Sequence, residues 1–492
     1  TKWREMLEST PNLDFYQDSV VSMLVENSTV VGVVTQLGIK IYSKSVILTN
    51  GTFLNGLIHV GEKHFGGGRA GEKASIGVTE DLVSFGFVSG RMKTGTPPRV
   101  DGRSLNYNKM EEHPGDINPG KFSYLPSSTK LTKQRSCYVT YTNLKTHDLL
   151  REGFDRSPMF NGRIKSIGPR YCPSVEDKIN RFSEKDRHQI FVEPEGWNAV
   201  EVYVNGFSTS LPEEVQFKAL KSVQGFEDVK FFRPGYAIEY DYFPPTQLKH
   251  SLETKPIKNL FFAGQINGTT GYEEAAAQGL MAGINAHLKI NNKPEFILKR
   301  NQAYIGVLID DLITKGTDEP YRMFTSRAEF RMLLRQDNAD IRLSELSYSI
   351  GLATKDRYTL VKNKLKKTQE LIHFIENLSV SPKEINSILE NKNSKTIDQS
   401  MKLKKLYSRP NIVFEDVVKI NSLKEFVDNN NINEEVIEQA EIQIKYSGYI
   451  QKESANADKL NNLESIKIPE MFDYSALKSV SSEAKSKLED IR

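Results

Sequence analysis

The pattern of apolar and polar positions divides the chain into a mixed first part and a helical last part. Short apolar and β-branched runs near the start predict strands, and a further apolar run at 258–265 ends in a glycine turn. Residues 273–287 then carry Ala, Leu and Met at helical spacing, which predicts a strand, loop and helix unit. The strands predicted near the start cover 13–16, 19–26, 30–36 and 45–49.

Beyond about Gly351 the apolar residues follow a helical period within a composition rich in Lys, Asn, Glu and Leu. Ser381 and Glu384 have the spacing of a capping box, with Pro382 at the first helical position. Asn433 marks another helix start. These signals predict a separate all-helical domain.

Composition narrows the class of protein. A chain of 492 residues needs two or more cores, and its 38% hydrophobic and 26% charged residues are typical of globular proteins. We find no apolar run long enough to cross a bilayer, so no membrane span is expected. The first residues contain neither an initiator methionine nor a secretion signal, and we expect the chain to start inside a longer protein.

Cys137 and Cys172 are the 2 cysteines, too few for a disulfide framework or a cysteine-based zinc site. We therefore expect a cytoplasmic protein without a metal centre. A formal net charge of +3 is too small to indicate a nucleic-acid partner, so local clusters of Lys and Arg have to decide.

Two glycine-rich stretches are candidates for ligand binding. Residues 66–71 match G-x-G-x-x-G, but 62–65 before them do not form a buried strand, which favours a tight loop over a dinucleotide fingerprint. Residues 264–279 read GQINGTTGYEEAAAQG and combine small residues with a helix start, which suits a phosphate or an electron-rich ring. The plainer interpretation is a glycine-rich connection before an alanine-rich packing helix.

The second stretch resembles the flavin-site signature of the MnmG (GidA) family, and GPRYCPSVEDK at 168–178 resembles a second family signature. Three more blocks agree in the family's order: KTGTPPR at 93–99, RPGYAIEYD at 233–241 and EPYRMFTSRAE at 319–329. The match is dense from about Leu13 to Leu343 and thinner through the helical tail.

This resemblance implies an enzyme that uses FAD and works with the GTPase MnmE. Together they would add a carboxymethylaminomethyl or aminomethyl group to carbon 5 of the wobble uridine of certain tRNAs. Methylenetetrahydrofolate would supply carbon and NADH would supply electrons. A homodimer that joins MnmE in a heterotetramer is implied as well.

The fold class implied is α/β, with a Rossmann-like FAD-binding domain, an inserted α/β domain and an all-helical C-terminal domain. We assign residues 1–96 and 236–305 to the FAD-binding domain and 97–235 to the inserted NAD and substrate domain. Residues 306–492 form the helical domain that would bind tRNA and MnmE.

Carried over by matching position, Val20, Ser75 and Gln265 would contact the flavin. The proposed NAD-binding region is 168–182, that is Gly168, Pro169, Arg170, Tyr171, Cys172, Pro173, Ser174, Val175, Glu176, Asp177, Lys178, Ile179, Asn180, Arg181 and Phe182.

The chain departs from the family at its ends. Complete members open with a strand, a G-x-G-x-x-G turn and a helix that hold the FAD pyrophosphate, and we expect this opening and a second family cysteine to lie outside the chain. We expect the extreme C-terminus of the family to lie outside the chain as well. Two rivals stay open: the related folate-dependent tRNA uridine methyltransferase, which lacks a long helical tail, and a non-catalytic RNA-binding fragment.

An RNA-binding face is predicted from three arginines. Ser326 and Glu329 have capping-box spacing, and Arg327, Arg331 and Arg335 at steps of four would line one face of the helix so opened. Guanidinium groups suit phosphate oxygens, whereas a solvated, salt-bridged face is the ordinary alternative.

Cys172 is the candidate nucleophile. A thiolate that adds to carbon 6 of uridine makes carbon 5 nucleophilic. Pro173 is predicted to begin a helix that runs to Phe182, which would place Cys172 at the N-cap near Arg170 and lower the pKa of its thiol. The family cysteine outside the chain is the alternative nucleophile, and Cys137, in a strand-like run, is interpreted as structural.

Overall fold

The computed structural model describes residues 2–169, 173–464, 466, 468–469 and 472–490. In chain order the strands are β1 (Val20–Glu26), β2 (Thr29–Thr35), β3 (Lys40–Tyr42), β4 (Val46–Leu48), β5 (Leu57–Val60), β6 (Lys63–Gly66), β7 (Gly90–Thr96), β8 (Arg99–Asp101), β9 (Glu111–His113), β10 (Cys137–Tyr141), β11 (Gln189–Pro194), β12 (Glu201–Asn205), β13 (Phe231–Arg233), β14 (Tyr236–Tyr242), β15 (Leu260–Phe262), β16 (Ser379–Val380) and β17 (Met401–Lys402).

The helices follow the same order. They are α1 (Lys2–Glu8), α2 (Val78–Ser84), α3 (Leu144–Arg151), α4 (Val175–Arg181), α5 (Glu213–Lys221), α6 (Tyr272–Ile290), α7 (Tyr304–Lys315), α8 (Ala339–Ser349), α9 (Lys355–Asn377), α10 (Pro382–Asn391), α11 (Leu403–Tyr407), α12 (Phe414–Val417), α13 (Asn421–Asn429), α14 (Glu434–Lys445), α15 (Ser447–Glu464) and α16 (Ser482–Asp490).

The chain folds into two compact units. The first consists of Thr1–Phe122, Thr129–Ile297 and Leu308–Met323, and the second of Ser123–Ser128, Leu298–Val307 and Phe324–Arg492. None of the described helices is both long enough and apolar enough to cross a membrane.

In the first unit β4 and β15 run parallel, with Val46 opposite Leu260 and Leu48 opposite Phe262. All three residues of β15 are buried, as expected for a strand covered on both faces. The first unit also contains a four-stranded sheet in the order β6-β5-β14-β7 and an antiparallel sheet in the order β1-β2-β3.

A six-stranded sheet in the order β13-β8-β12-β11-β10-β9 is built from residues between 99 and 233. Residues along β12 alternate between buried and partly exposed positions. Val202 and Val204 point into a core, and the residues beside them are partly exposed. Helix α5 covers this core with the buried Val215, Ala219 and Leu220.

Among the residues of the second unit that the structure describes, the two-residue pair β16–β17 is the only β-structure, and the other regular elements are helices. Its longest helix, α9, buries Val361, Thr368, Leu371 and Ile375, which lie at steps of seven, three and four along one stripe. The core of this unit continues into α10, α11 and α14 through Ile385, Leu406 and Val436, among others.

Most of the predicted elements are present. The 273–287 helix lies within α6, and Asn433 caps α14 by accepting a hydrogen bond from Val436 N. Ser381 N donates to Glu384 Oε2 at 2.8 Å at the start of α10, which confirms the capping box.

The strand predicted at 13–16 is wrong. These residues are all described and form no strand, and Phe15 and Tyr16 are exposed. A short apolar run forms a strand only when a neighbouring strand can hydrogen-bond to its backbone, and residues 13–16 have no such neighbour among the described residues. The short strand β3, with its exposed residues, was not predicted.

Candidate functional site

The two parallel strands of the first unit end side by side in glycine turns. Ala263 N donates to Leu48 O at 3.0 Å, so the turn after β15 lies next to the turn after β4. Gly51 has φ +56°, and a Cβ built there would lie 3.8 Å from Gln265 Oε1. Ligands of open α/β sheets bind at such carboxyl ends of neighbouring strands.

The loop after β15 is held by a buried network of side chains. Asn267 Nδ2 donates to Phe262 O at 3.0 Å and to Gln278 Oε1 at 2.8 Å. Gln278 Nε2 donates to Thr269 Oγ1 at 3.0 Å, and Thr269 Oγ1 donates to Gly264 O at 3.0 Å. Since the side chains of this network are buried, the shape of the loop is fixed by the protein itself.

Gly268 and Gly271 fit this loop because they lack a side chain. Gly268 has φ +72°, and a Cβ there would approach Thr317 Oγ1 to 2.6 Å. Gly271, the N-cap of α6, has φ +129°, and a Cβ there would lie 1.9 Å from Glu274 Oε2. A larger residue at either position would strain the backbone and displace its neighbour.

The segment Tyr321 to Met323 locks onto the same loop. Tyr321 N donates to Gly268 O and Thr270 N donates to Tyr321 O, both at 2.9 Å. Glu274 Oε1 accepts a hydrogen bond from Met323 N at 2.8 Å. Two of the motif blocks that carry the family resemblance therefore meet in space.

Val20 and Ser75 lie together beside the turn after β4. Ser75 Oγ donates to Val20 O at 3.4 Å, and Ser75 N donates to Phe53 O at 2.8 Å. Phe53 is two residues after Gly51, which lies next to Gln265. The short loop 51–53 thus lies next to both Ser75 and Gln265, and Ser75 contacts Val20. These are the three residues for which a flavin contact was expected.

The turn after β4 also carries an unsatisfied acceptor. Asn50 Oδ1 is buried and has no hydrogen-bond partner among the described residues. Gln265 Nε2 contacts the hydroxyl of Tyr240 at 3.4 Å, and burial raises the pKa of Tyr240, which keeps this hydroxyl protonated. The side chains of Asn50, Gln265 and Tyr240 are therefore polar groups that carry no formal charge.

A second polar cluster joins β5, β14 and Ser166. His59 Nε2 lies 3.0 Å from Glu239 Oε2, and Ser166 Oγ donates to Glu239 Oε1 at 2.6 Å. Glu239 lies opposite Lys93 in the register of β14 and β7. Burial alone would raise the pKa of Glu239, but the hydrogen bonds from His59 and Ser166 outweigh it and hold the pKa below its ordinary value.

The structure describes only part of the predicted NAD-binding region. Arg170, Tyr171 and Cys172 lie outside the described residues. Of the remaining residues, Val175, Glu176 and Ile179 point into the interior. Asn180, Arg181 and Phe182 are exposed, whereas Gly168, Pro169, Pro173, Asp177 and Lys178 are half-buried and Ser174 is buried.

The predicted helix start in this region is wrong. Ser174 is the N-cap of α4, because its hydroxyl accepts a hydrogen bond from Asp177 N at 3.2 Å, and the helix begins at Val175. The serine hydroxyl accepts a hydrogen bond from a free N–H group of the first turn, whereas the side chain of Pro173 has no oxygen that could do so. The position expected for Cys172, the N-cap, is therefore occupied by Ser174.

Cys137 has the surroundings of a structural thiol. It lies half-buried in β10, opposite His113 of β9. Burial, and then the nearby Glu193 carboxylate, raise the pKa of the Cys137 thiol. A thiol in that state is a poor nucleophile at neutral pH.

The three arginines expected on one helix face do not lie on a helix. Arg327 ends the 3-10 turn Thr325–Arg327, and the next helix, α8, begins only at Ala339. Arg335 is bound by Asp337 at 3.1 Å and by the carbonyl of Met332 at 2.5 Å, whereas Arg331 is exposed. The helix prediction is wrong, and the predicted RNA contact of these residues stays a prediction.

Sequence reasoning missed Asn50, His59 and Glu274 as parts of these sites. Glu274 stood within a quoted motif, and Asn50 followed a predicted strand. The sequence around His59 does not indicate this pairing, because its partner Glu239 is 180 positions away in the chain.

Two family models match the chain. A model described as "Glucose inhibited division protein A" matches residues 1–294, and one described as "tRNA modifying enzyme MnmG/GidA C-terminal helical domain" matches residues 355–454. The α/β part and the helical part described above thus define a protein of the tRNA-modifying class.

Relatives and solved structures agree with both models. Proteins named tRNA uridine 5-carboxymethylaminomethyl modification enzyme MnmG from Christiangramia forsetii and Flavobacterium johnsoniae are each 67% identical to the chain. The first match covers 100% of the chain and 79% of the relative, and the second 99% and 78%. A crystal structure of Aquifex aeolicus GidA, 42% identical, covers 100% of the chain and 77% of its own with a TM-score of 0.86. The chain belongs to the MnmG/GidA family, so the resemblance and the fold class expected from the motifs are confirmed.

Proposed function

We propose that this protein is an FAD-dependent enzyme that modifies carbon 5 of the wobble uridine in certain tRNAs. The observation that carries the proposal is the joining of two family motifs into one preformed loop, where Tyr321 and Glu274 clamp the turn after β15. Relatives of this fold carry the name of a tRNA uridine 5-carboxymethylaminomethyl modification enzyme.

The residues at the ends of β4 and β15 fit a flavin cofactor. Glycines at 51, 264 and 268 allow a ring or a phosphate to approach the backbone closely. Asn50 Oδ1 is a buried acceptor that lacks a donor, and a hydroxyl or N–H group of the cofactor would satisfy it. Val20, Ser75 and Gln265 would complete the contacts.

When bound, FAD supplies two-electron redox chemistry, with NADH as the proposed electron donor and methylenetetrahydrofolate as the carbon donor. The role of the chain is to hold these reactants and the uridine in place. We assign the NADH contact to residues of 168–182. The buried side chains of Val175, Glu176 and Ile179 would anchor that stretch to the interior of the protein.

Cys172 is proposed as the nucleophile that adds to carbon 6 of the uracil ring. The added thiolate moves an electron pair to carbon 5, which then bonds to the incoming one-carbon unit. Loss of the carbon 5 proton and departure of the thiolate restore the ring double bond. The proposal for Cys172 rests on its place in the family motif, and the family cysteine outside the chain is the alternative.

The proposed partners are tRNA and the GTPase MnmE. The helical unit would dock MnmE, since α9 to α15 supply a large helical surface, and the exposed Arg331 is the best placed of the three predicted arginines to meet a phosphate. We also propose a homodimer that works in the cytoplasm.

A reconstitution separates this function from its rivals. The full-length protein is incubated with undermodified tRNA, MnmE, GTP, FAD, NADH, methylenetetrahydrofolate and glycine or ammonium, and the nucleosides are analysed by mass spectrometry. Carboxymethylaminomethyl or aminomethyl uridine supports the proposal. A 5-methyluridine product would identify a methyltransferase instead, and tRNA binding without any product would leave a non-catalytic RNA-binding protein.

A further inference from the structure

Asn55 has a left-handed backbone in the connection between β4 and β5, residues 49–56, with φ +45°. A residue with a Cβ rarely adopts this conformation, although Asn does so more readily than most. Such residues persist only where their surroundings fix them, and they cluster at ligand sites. The contacts of Asn55 therefore indicate what its conformation serves.

The backbone of Asn55 joins the β4–β5 connection to Ser75. Asn55 N donates to Ser75 O at 2.9 Å, and Ser75 N donates to Phe53 O at 2.8 Å. Together these bonds form a parallel bridge between Leu54 and Ser75. Ser75 Oγ in turn donates to Val20 O at 3.4 Å. The places of Ser75 and Val20 therefore depend on the conformation at Asn55.

The side-chain amide of Asn55 donates to two carboxylates. Its Nδ2 lies 2.7 Å from Asp241 Oδ2 in β14 and 2.8 Å from Glu80 Oε1 in α2. An amide nitrogen carries two hydrogens, so both bonds form at once, and the amide oxygen could not replace it opposite two acceptors. One side chain thus ties β14 and α2 to the β4–β5 connection.

The Asp241 carboxylate is buried and is also held by an arginine. Arg91 Nη1 donates to Asp241 Oδ1 at 2.7 Å, and Arg91 Nη2 donates to Asn55 O at 3.0 Å. Asp241 N also donates to Leu54 O at 2.9 Å. Since hydrogen bonds of ionised groups are stronger than neutral ones, Arg91 and Asp241 fix Asn55 at both its carbonyl and its side chain.

Helix α2 extends these ties to β1, which begins at Val20. Glu80 Oε2 accepts a hydrogen bond from Gly77 N at 3.1 Å, so the carboxylate that faces the Asn55 amide also caps the start of α2. The next residue, Asp81, accepts from Met23 N of β1 at 2.6 Å. The first turn of α2 therefore links the β4–β5 connection to the first strand.

From this geometry we infer that Asn55, held by Asp241, is a positioning residue for the flavin, because it sets where Ser75 and the start of β1 lie at the candidate site. The inference rests on the proposed function, which assigns flavin contacts to Ser75 and Val20. It predicts that loss of the Asn55 amide weakens FAD binding, whereas loss of an equivalent amide at the other end of the same strands does not.

Asn55→Gly tests this in the full-length protein, prepared without flavin and titrated with FAD by fluorescence quenching. Glycine adopts the left-handed conformation without strain, so this variant removes the amide and leaves the backbone able to keep its path. Because the amide donates to two charged groups, we expect Kd for FAD to rise about tenfold. Asp241→Asn keeps an oxygen that can accept from Asn55 but loses the charge, and it should raise Kd about threefold.

The matched control is Asn259→Gly. Asn259 also has a left-handed backbone, with φ +64°, and its Nδ2 donates to Lys44 O at 3.1 Å. It lies directly before β15, at the end of the β4–β15 pair opposite to the glycine turns. Because distant sites without shared partners act independently, Kd should stay within about twofold of the wild type. Urea unfolding of the flavin-free variants shows separately how much stability each substitution removes.

The outcomes separate this inference from the proposed function. If the wild-type protein binds FAD and Asn55→Gly binds it with the same Kd, the positioning role is refuted and the function stands. A rise of Kd in Asn259→Gly equal to that in Asn55→Gly would also refute it. If Asn55→Gly does not fold, Asp241→Asn decides, and a wild-type Kd in that variant refutes the role. If the wild-type protein does not bind FAD, the proposed cofactor fails and the inference fails with it.

Discussion

Glu274 Oε1 accepts a hydrogen bond from the backbone N–H of Met323 at 2.8 Å and lies 3.3 Å from Nε of Arg322. Glu274 belongs to the first turn of α6, and Met323 lies 49 positions further along the chain. The contact ties the start of α6 to the segment Tyr321 to Met323. Glu274 is buried, with 2% exposure, and a buried carboxylate is costly to leave without such partners.

The first prediction is that Glu274→Gln loosens the loop. The amide keeps one acceptor for Met323 but loses the charge that faces Arg322, so the free energy of unfolding should fall by about 1–2 kcal/mol. FAD affinity, measured by quenching of flavin fluorescence, should fall as well. Glu273→Gln is the control, since Glu273 is the exposed neighbour in the same turn. Equal flavin affinity of the two variants would show that the clamp is irrelevant to the cofactor.

The second prediction concerns pH and Glu176. Burial, against opposing hydrogen bonds from Ser210, raises the pKa of Glu176 above its ordinary value of 4.5. The folded state therefore holds a proton that the unfolded state has released, so the unfolding free energy decreases as pH rises from about 4.5 through the folded pKa. Glu176→Gln cannot ionise, and its oxygen can still accept from Ser210.

Urea denaturation between pH 4 and 8 measures this effect. The Glu176→Gln protein should lose less stability across that range than the wild type, whereas Glu184→Gln, at an exposed position two residues beyond Phe182, should follow the wild-type curve. Parallel curves for the wild type and Glu176→Gln would show that Glu176 does not carry the pH dependence.

Sequence patterns predicted the parts of the site that are local. The runs ending at Thr49 and Gln265 were predicted as strands because apolar residues are continuous there, and the structure pairs them as β4 and β15. The cap at Asn433 follows from its own side chain and the next three residues. Such features need no knowledge of distant parts of the chain.

Features decided by distant partners were not predictable in this way. Ser326 and Glu329 have capping-box spacing, but Glu329 Oε1 is bound by Arg300 at 2.6 Å, and Ala328 and Phe330 are buried. These contacts outweigh a weak local preference for helix. The His59–Glu239 pair depends likewise on the register of β5 against β14.

The third prediction separates Arg331 from Arg335. Charge reversal of the exposed Arg331 should weaken tRNA binding and reduce the salt dependence of log K by about one phosphate contact. Arg335→Glu should mainly destabilise the fold, because Arg335 is bound by Asp337 and by the Met332 carbonyl. Filter binding across a salt series, with thermal melts of both variants, distinguishes the two effects. Wild-type affinity of Arg331→Glu at every salt concentration would remove Arg331 from the RNA interface.

The fourth prediction is that Cys172→Ser abolishes tRNA modification while Cys137→Ser preserves it. A serine hydroxyl is far less acidic than a thiol and does not add to carbon 6 of uridine, so the Cys172 variant should yield no modified nucleoside although it binds FAD and tRNA normally. Cys137 lies in β10 with a raised pKa, and its replacement removes the other thiol of this chain without removing the proposed nucleophile. In the reconstituted reaction, mass spectrometry of digested tRNA gives the product yield of each variant. Full product from Cys172→Ser would rule out Cys172 as the essential nucleophile and would favour the alternative, the family cysteine outside this chain.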